Sequence, residues 1–135
     1  NPSHPNCIAP GKRPLHTIIP GMLVRNNKAE MPFGVMGGHY QSFGHMHLLS
    51  RHLDFGLDLQ EAIDLPRLFP LPGTQKVEVE SGFPQSIIEG LAAKGHKPVP
   101  AQKPIGGAQA IRVNWENGTL TGASEPRKDG CALGY

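Results

Sequence analysis

The stretch that decides the reading is FGVMGGHYQSFGHMH, Phe33 to His47. Apolar residues run up to Gly37-Gly38, and residues at helical spacing follow. A strand feeding a helix through two glycines sets backbone N–H groups at a helix N-terminus. Without a Cβ, that backbone lies open to a ligand. Such donors suit a developing oxyanion or a phosphate. The phosphate reading has less support, because the stretch contains neither GxGxxG nor GxxxxGK[ST] and no lysine stands where it would reach a phosphate. The other reading is an ordinary tight turn, which composition alone favours.

Three histidines follow as H-x5-H-x-H, His39, His45 and His47, with His52 beyond. On a helix, His45 and His47 point about 200° apart, and His45 and His52 share a face but lie roughly 10 Å apart along it. One ion cannot use either pair. The expectation is no metal site, with the histidines exposed or hydrogen-bonded.

Outward from this stretch, Thr17 to Val24 reads as a buried strand. Met31 to Met36 reads as its hairpin partner across the polar turn NNKAE. After the glycines, Phe43, Met46, Leu49 and Leu53 fall at helical spacing. Asp58 opens a short helix with Glu61 placed for a capping box, and Pro66 ends it. Val77 and Val79 alternate with Glu78 and Glu80, as in a half-exposed strand. Pro84 to Lys94 reads as a helix with Gly95 just past its end and a buried stripe of Phe83, Ile87, Ile88 and Leu91. Ala108–Trp115 and Thr119–Ala123 read as strands joined by a hairpin at Asn117-Gly118. The same residues with Thr119 match a glycosylation sequon, a reading the hairpin outweighs. The order predicts an α+β fold with a mostly antiparallel sheet and packed helices.

The bulk numbers agree with a globular chain. Of 135 residues, 38% are apolar and 18% charged, and Gly 17 and Pro 14 predict many turns. Net charge is +2, with no basic block interleaved with aromatics, so nucleic acid is not an expected partner. No run approaches membrane-spanning length, and no charged-then-apolar leader opens the chain. Cys7 and Cys131 form no CxxC pair and read as two unpaired thiols. Residues 1–14 hold four prolines and read as an extended lead-in. Arg112, Glu125, Arg127 and Asp129 read as solvated or paired charges near strand ends. No nucleophile with a base declares itself: Ser42, Ser50 and Ser81 lack a GxSxG context, and neither cysteine has a reactive setting. The residues supply donors without an attacking group, and they call for no cofactor.

Five blocks together resemble the gamma-glutamyltransferase (gamma-glutamyltranspeptidase) family. They are PGKRPLHTIIPGMLV (Pro10–Val24), GVMGGHYQSFGH (Gly34–His45), LDFGLDLQEAIDLPRLF (Leu53–Phe69), GGAQAIRV (Gly106–Val113) and GASEPRKDGCALGY (Gly122–Tyr135). Their order is that of the C-terminal part of the family's small subunit, so residues 1–135 are expected to form a single segment of it. The resemblance implies the C-terminal portion of an N-terminal-nucleophile (Ntn) hydrolase αββα sandwich. In the family a precursor cuts itself and exposes a threonine, whose hydroxyl attacks a gamma-glutamyl amide with its own α-amine as base. The resulting ester passes to water or to an amino acid or peptide. That threonine lies upstream of this chain, and Thr17 and Thr119 do not sit in its motif, so the segment alone is expected to be inactive.

Carried over by position, Gly37 and Gly38 match the pair whose N–H groups form the oxyanion hole. His16 and Thr17 stand where many members carry the Ser-Ser that binds the substrate carboxylate. His39 adjoins the glycines. Many members read S-P-G-G-S-R where this chain reads V-M-G-G-H-Y, which resembles a divergent branch. The implied partners are a gamma-glutamyl small molecule, the large subunit and the N-terminal part of the small subunit. Association between copies of the segment through exposed strand edges is also expected. The alternatives are a related Ntn amide acylase acting on another acyl group, or a non-catalytic binding module of the same fold.

Overall fold

The structure is a computed structural model that describes residues 1–135. Its first hairpin follows from two asparagines. β1 (Pro20–Arg25) and β2 (Lys28–Met36) pair antiparallel across Asn26-Asn27, both of which have positive φ, 50° and 59°. A two-residue turn needs that backbone to match the twist of its strands, and Asn tolerates it better than most residues. β2 also pairs antiparallel with β6 (Gly107–Val113), and β6 with β7 (Leu120–Ser124). The resulting sheet has the order β1-β2-β6-β7.

The strand read from Thr17 begins only at Pro20. Residues 17–19 are exposed and have no strand partner. The β6–β7 connection also differs from the expected two-residue turn, because it spans residues 114–119. The Asn114 side-chain oxygen accepts from the N–H groups of Glu116 and Asn117, which closes a local turn before the strand can continue. Trp115 therefore leaves the strand, and its indole N–H donates to the Ala29 carbonyl at 2.7 Å.

A second sheet holds β3 (Leu68–Pro70), β4 (Lys76–Val79) and β5 (Lys97–Pro100) in that order. β4 and β5 run parallel, which requires a crossover, and α3 (Gln85–Ala93) supplies it. The α+β expectation holds, with this one parallel pair among antiparallel ones. α3 starts one residue inside the expected span, with Pro84 as its N-cap. None of its residues is buried, and Ile87 is 45% exposed. The helix packs chiefly against β5, so its predicted apolar stripe, including Phe83, is covered only in part.

α1 (Gln41–Leu49) continues into a π-turn over Ser50–Asp54. Its buried residues are Gln41, Gly44 and Leu48; of the predicted row, Phe43 and Leu49 pack in part against the core, while Met46 and Leu53 are exposed. Gly44 explains the packing. A Cβ there would lie 2.4 Å from Val35 Cγ1, so only glycine lets the helix sit this close to β2. α2 (Leu59–Asp64) carries the expected capping box: the Asp58 carboxylate accepts from Glu61 N–H at 2.7 Å, and the Glu61 carboxylate accepts from Asp58 N–H.

The core lies between one face of the larger sheet and these two helices. Met31, Val35, Ala108, Ala110 and Ala123 meet Tyr40, Leu48, Leu59, Ala62 and Ile63. Small residues on β6 and β7 bring the helices close to the sheet. The opposite face of the sheet is uncovered, with Met22, Met36, Ile111 and Leu120 all exposed. No helix is long and apolar enough to cross a membrane.

Candidate active site

The site is built where β2 hands the chain to α1. Gly37 has φ 138° and ψ 20°, and Gly38 has φ 59°, the first conformation open essentially to glycine alone. A single 3-10 turn, Gly38–Tyr40, then leads into the helix. The Gly37 carbonyl accepts from Tyr40 N–H at 3.0 Å. Because the peptide is trans, the Gly38 N–H points the opposite way, out of the turn. Neither Gly37 N–H nor Gly38 N–H donates to any group of the chain. The two glycines differ in their surroundings. A Cβ on Gly37 would lie 3.1 Å from the Tyr40 side chain and 3.2 Å from Gly106 Cα, whereas one on Gly38 would meet nothing within 4 Å.

Gly37 and Gly38 form one wall of a cleft of about 570 Å³. Thr17, Ile18 and Ile19 form another, and Phe33, Gly107 and Gln109 line the sheet side. None of the thirteen lining residues carries a charge. The structure therefore brings Thr17 to the glycine pair. His16 and His39 are exposed and do not line the cleft.

The remaining histidines go to separate places. His45 stands edge-on to Phe33 with ring centroids 5.0 Å apart, and its Nε2 has no partner. His52 Nδ1 lies 2.8 Å from the Leu57 carbonyl. His47 Nδ1 shares a 3.0 Å hydrogen bond with the hydroxyl of buried Tyr40. No three His, Cys, Asp or Glu side chains converge as metal ligands.

The Tyr40–His47 pair has a consequence for stability. Burial, helped by the Arg51 and Arg67 charges, pushes His47 down from 6.5 to about 4. Burial pushes Tyr40 up from 10.0 to about 12, against the pull of the nearby arginines. Both rings are neutral when folded, so the unfolded chain takes up the histidine proton first as pH falls. Stability should thus drop between about pH 6.5 and about pH 4. It should drop again between about pH 10 and about pH 12, where the unfolded tyrosine ionises first. Urea midpoints against pH check this: His47→Gln should flatten the acid limb, and an unchanged acid slope would refute the assignment.

Beside the glycines lies a buried ionic cluster. Glu125 is fully buried and takes four hydrogen bonds. Oε2 accepts from Arg67 at 2.6 Å and from Ala108 N–H at 2.7 Å, and Oε1 accepts from the Arg127 side chain at 2.9 Å and its N–H at 3.1 Å. Burial alone would raise its pKa. The Arg127 and Ala108 hydrogen bonds and the Arg67 charge outweigh burial and hold it below the ordinary carboxylate range. Arg127 also grips Glu80 and the carbonyls of Ile63, Asp64 and Leu65. Arg51 caps the same helix end through the carbonyls of Ala62, Leu65 and Pro66. The C-terminus of α2, where backbone dipoles leave negative potential, is thus surrounded by guanidinium groups. The cluster ties α2, the residue after β4 and the start of β6 together, and Gly106 and Gly107, at the entry to β6, lie against Tyr40 and Met36. Of the two outcomes expected for these charges, solvated or paired, Glu125 and Arg127 show the second.

A sequence model of the family described as gamma-glutamyltranspeptidase matches residues 1–135, the whole chain. The chain belongs to the gamma-glutamyltranspeptidase family. It is 34% identical to the glutathione hydrolase-like YwrD proenzyme of Bacillus subtilis, covering 98% of this chain and 26% of that one. The cephalosporin acylase structure from Bacillus halodurans superposes with TM-score 0.79 at 43% identity, over 94% of this chain and 24% of that chain. A gamma-glutamyltranspeptidase from Pseudomonas nitroreducens, complexed with L-DON, gives TM-score 0.76 at 28% identity, over 98% of this chain and 68% of that chain. The chain spans about a quarter of the length of the curated relatives it matches. Its fold is that of the family's Ntn hydrolases. Relatives named as proenzymes mark the family as one of processed precursors.

Proposed function

We propose that the full-length protein cleaves gamma-glutamyl amides by acyl transfer, with this segment supplying the oxyanion hole and one wall of the donor site. The observation that carries the reading is the pair of unbonded N–H groups at Gly37 and Gly38, set on a cleft beside Thr17. The nucleophile is a threonine hydroxyl outside this chain. It adds to the amide carbon, and the carbonyl oxygen takes the negative charge and accepts from the two glycine N–H groups. The hydroxyl proton passes through the threonine's α-amine to the departing amine as the C–N bond breaks. Water or a second amine then attacks the ester and frees the threonine. Thr17 offers a hydroxyl to the substrate carboxylate. His16 and His39, both exposed here, are assigned no step. The uncovered sheet face meets the remainder of the enzyme, and in the isolated segment it drives copies together.

A second reading, an amide acylase for an uncharged acyl group, is favoured by the wholly uncharged lining of the cleft. Assaying the full-length protein with a chromogenic gamma-glutamyl anilide and with a neutral acyl anilide separates the two. Release of the first alone supports the gamma-glutamyl donor, and release of the second alone supports the acylase. Release of neither would leave a binding module.

A further inference from the structure

Gln41 is one of four buried polar or charged residues, at 8% exposure, and it opens α1 directly after the glycine turn. Its side chain does not cap its own helix. Nε2 donates to the Thr17 carbonyl at 2.8 Å and to the Gly38 carbonyl at 3.2 Å, and Oε1 accepts from Ile19 N–H at 3.2 Å. Both amide hydrogens and the amide oxygen are engaged, so no strong donor remains for a ligand.

The segment it holds needs holding. β1 begins at Pro20, and no backbone hydrogen bond ties residues 17–19 to a neighbouring strand. Thr17, Ile18 and Ile19 nevertheless form one wall of the cleft, and Gly37 and Gly38 another. Gln41 is the one side chain that hydrogen-bonds to both walls. It reads the backbone of residues 17 and 19 as a strand neighbour would, one carbonyl and one N–H, and adds the Gly38 carbonyl of the glycine turn.

We propose that Gln41 is a positioning residue that fixes the Thr17 wall at a set distance from the glycine pair. This inference rests on the acyl-transfer reading, since it is that reaction which needs a substrate anchored at one wall and an oxyanion received at the other. Gln41 does not touch the reacting atoms. It acts through the Thr17 and Gly38 carbonyls.

The test uses Gln41→Leu and Gln41→Glu in the full-length protein, with the anilide that the wild type cleaves. Gln41→Leu should lower kcat/KM about a hundredfold, the scale of a misplacement near 1 Å. The loss should be flat with pH. In Gln41→Glu the ionised carboxyl faces two carbonyl oxygens and repels both. Once protonated, it can donate to one of them and still accept from Ile19 N–H. Its kcat/KM relative to wild type should therefore recover as pH falls through the titration of the introduced carboxyl, which a purely structural role would not produce. Hydrogen exchange of the peptide covering Ile19, read by mass spectrometry, should accelerate in Gln41→Leu with no substrate present.

Gln41→Leu kcat/KM within about threefold of wild type would overturn the proposal. So would a pH-flat ratio for Gln41→Glu, or unchanged exchange at Ile19. Should the leucine variant fail to fold, the near-isosteric Gln41→Glu decides through its pH profile. Should the wild type cleave no amide at all, the acyl-transfer reading fails, and the exchange at Ile19 still decides whether the clamp exists.

Discussion

Replacing Gly37 with alanine is expected to lower kcat of the full-length protein by about a hundredfold or more, the usual cost of losing one oxyanion donor. The backbone dictates this. Gly37 sits at φ 138°, where an L-residue is strained, and its Cβ would press on Tyr40 and on the Gly106 backbone. The turn must shift, and the N–H groups shift with it. Gly38→Ala should be milder, because its φ of 59° lies in the left-handed region and its Cβ points into open space. KM should change less than kcat in both variants, since the donors act on charge that develops only in the transition state. Thermal unfolding should show that both variants fold. A Gly37→Ala enzyme within about threefold of wild-type kcat would return the pair to an ordinary turn.

Glu125→Ala is expected to destabilise the protein by about 3–5 kcal/mol, the cost of breaking a buried ion pair from one side. Removing the carboxylate leaves the Arg67 guanidinium, itself 3% exposed, without its counter-charge. It also strips Ala108 N–H and Arg127 of acceptors. Arg67 keeps the Ile63 and Ile105 carbonyls, which do not neutralise it. Glu89→Ala, on the exposed side of α3, is the control and should lie within about 0.5 kcal/mol of wild type. Urea unfolding of the full-length protein measures both. A Glu125→Ala loss below about 1 kcal/mol would show that water or the remaining carbonyls replace the carboxylate.

What the sequence made legible was local. Asn26-Asn27, the Asp58–Glu61 box and Gly37-Gly38 each carry their conformation in one or two residues, and the structure has a hairpin, a capped helix and a strained turn at those places. What it hid was contact across the chain. Glu125 and Arg67 are 58 residues apart, and Arg127 and Glu80 are 47 apart. A charge beside a strand end reads as solvated or paired, and which of the two holds stays open until its partner's position is known. Gln41 was hidden for the same reason: one polar residue in a helix's first turn looks like a surface residue until Thr17, 24 positions upstream, arrives beside it. The faces of α1 and α3 follow the apolar spacing only in part, because spacing reports what a helix offers, not which neighbour covers it. Gly44 turned α1 toward β2, and α3 packs chiefly on β5. The blocks around Gly37-Gly38 did carry a family, and the match over residues 1–135 shows it.

We propose that the N–H groups of Gly37 and Gly38 receive the oxyanion of an amide whose attacking threonine lies elsewhere in the protein. The most direct measurement is a crystal structure of the full-length enzyme trapped as a tetrahedral adduct with an electrophilic amide analogue. The adduct oxygen should lie about 3 Å from both Gly37 N and Gly38 N. An adduct whose oxygen points to solvent, or to donors of another segment, would contradict it.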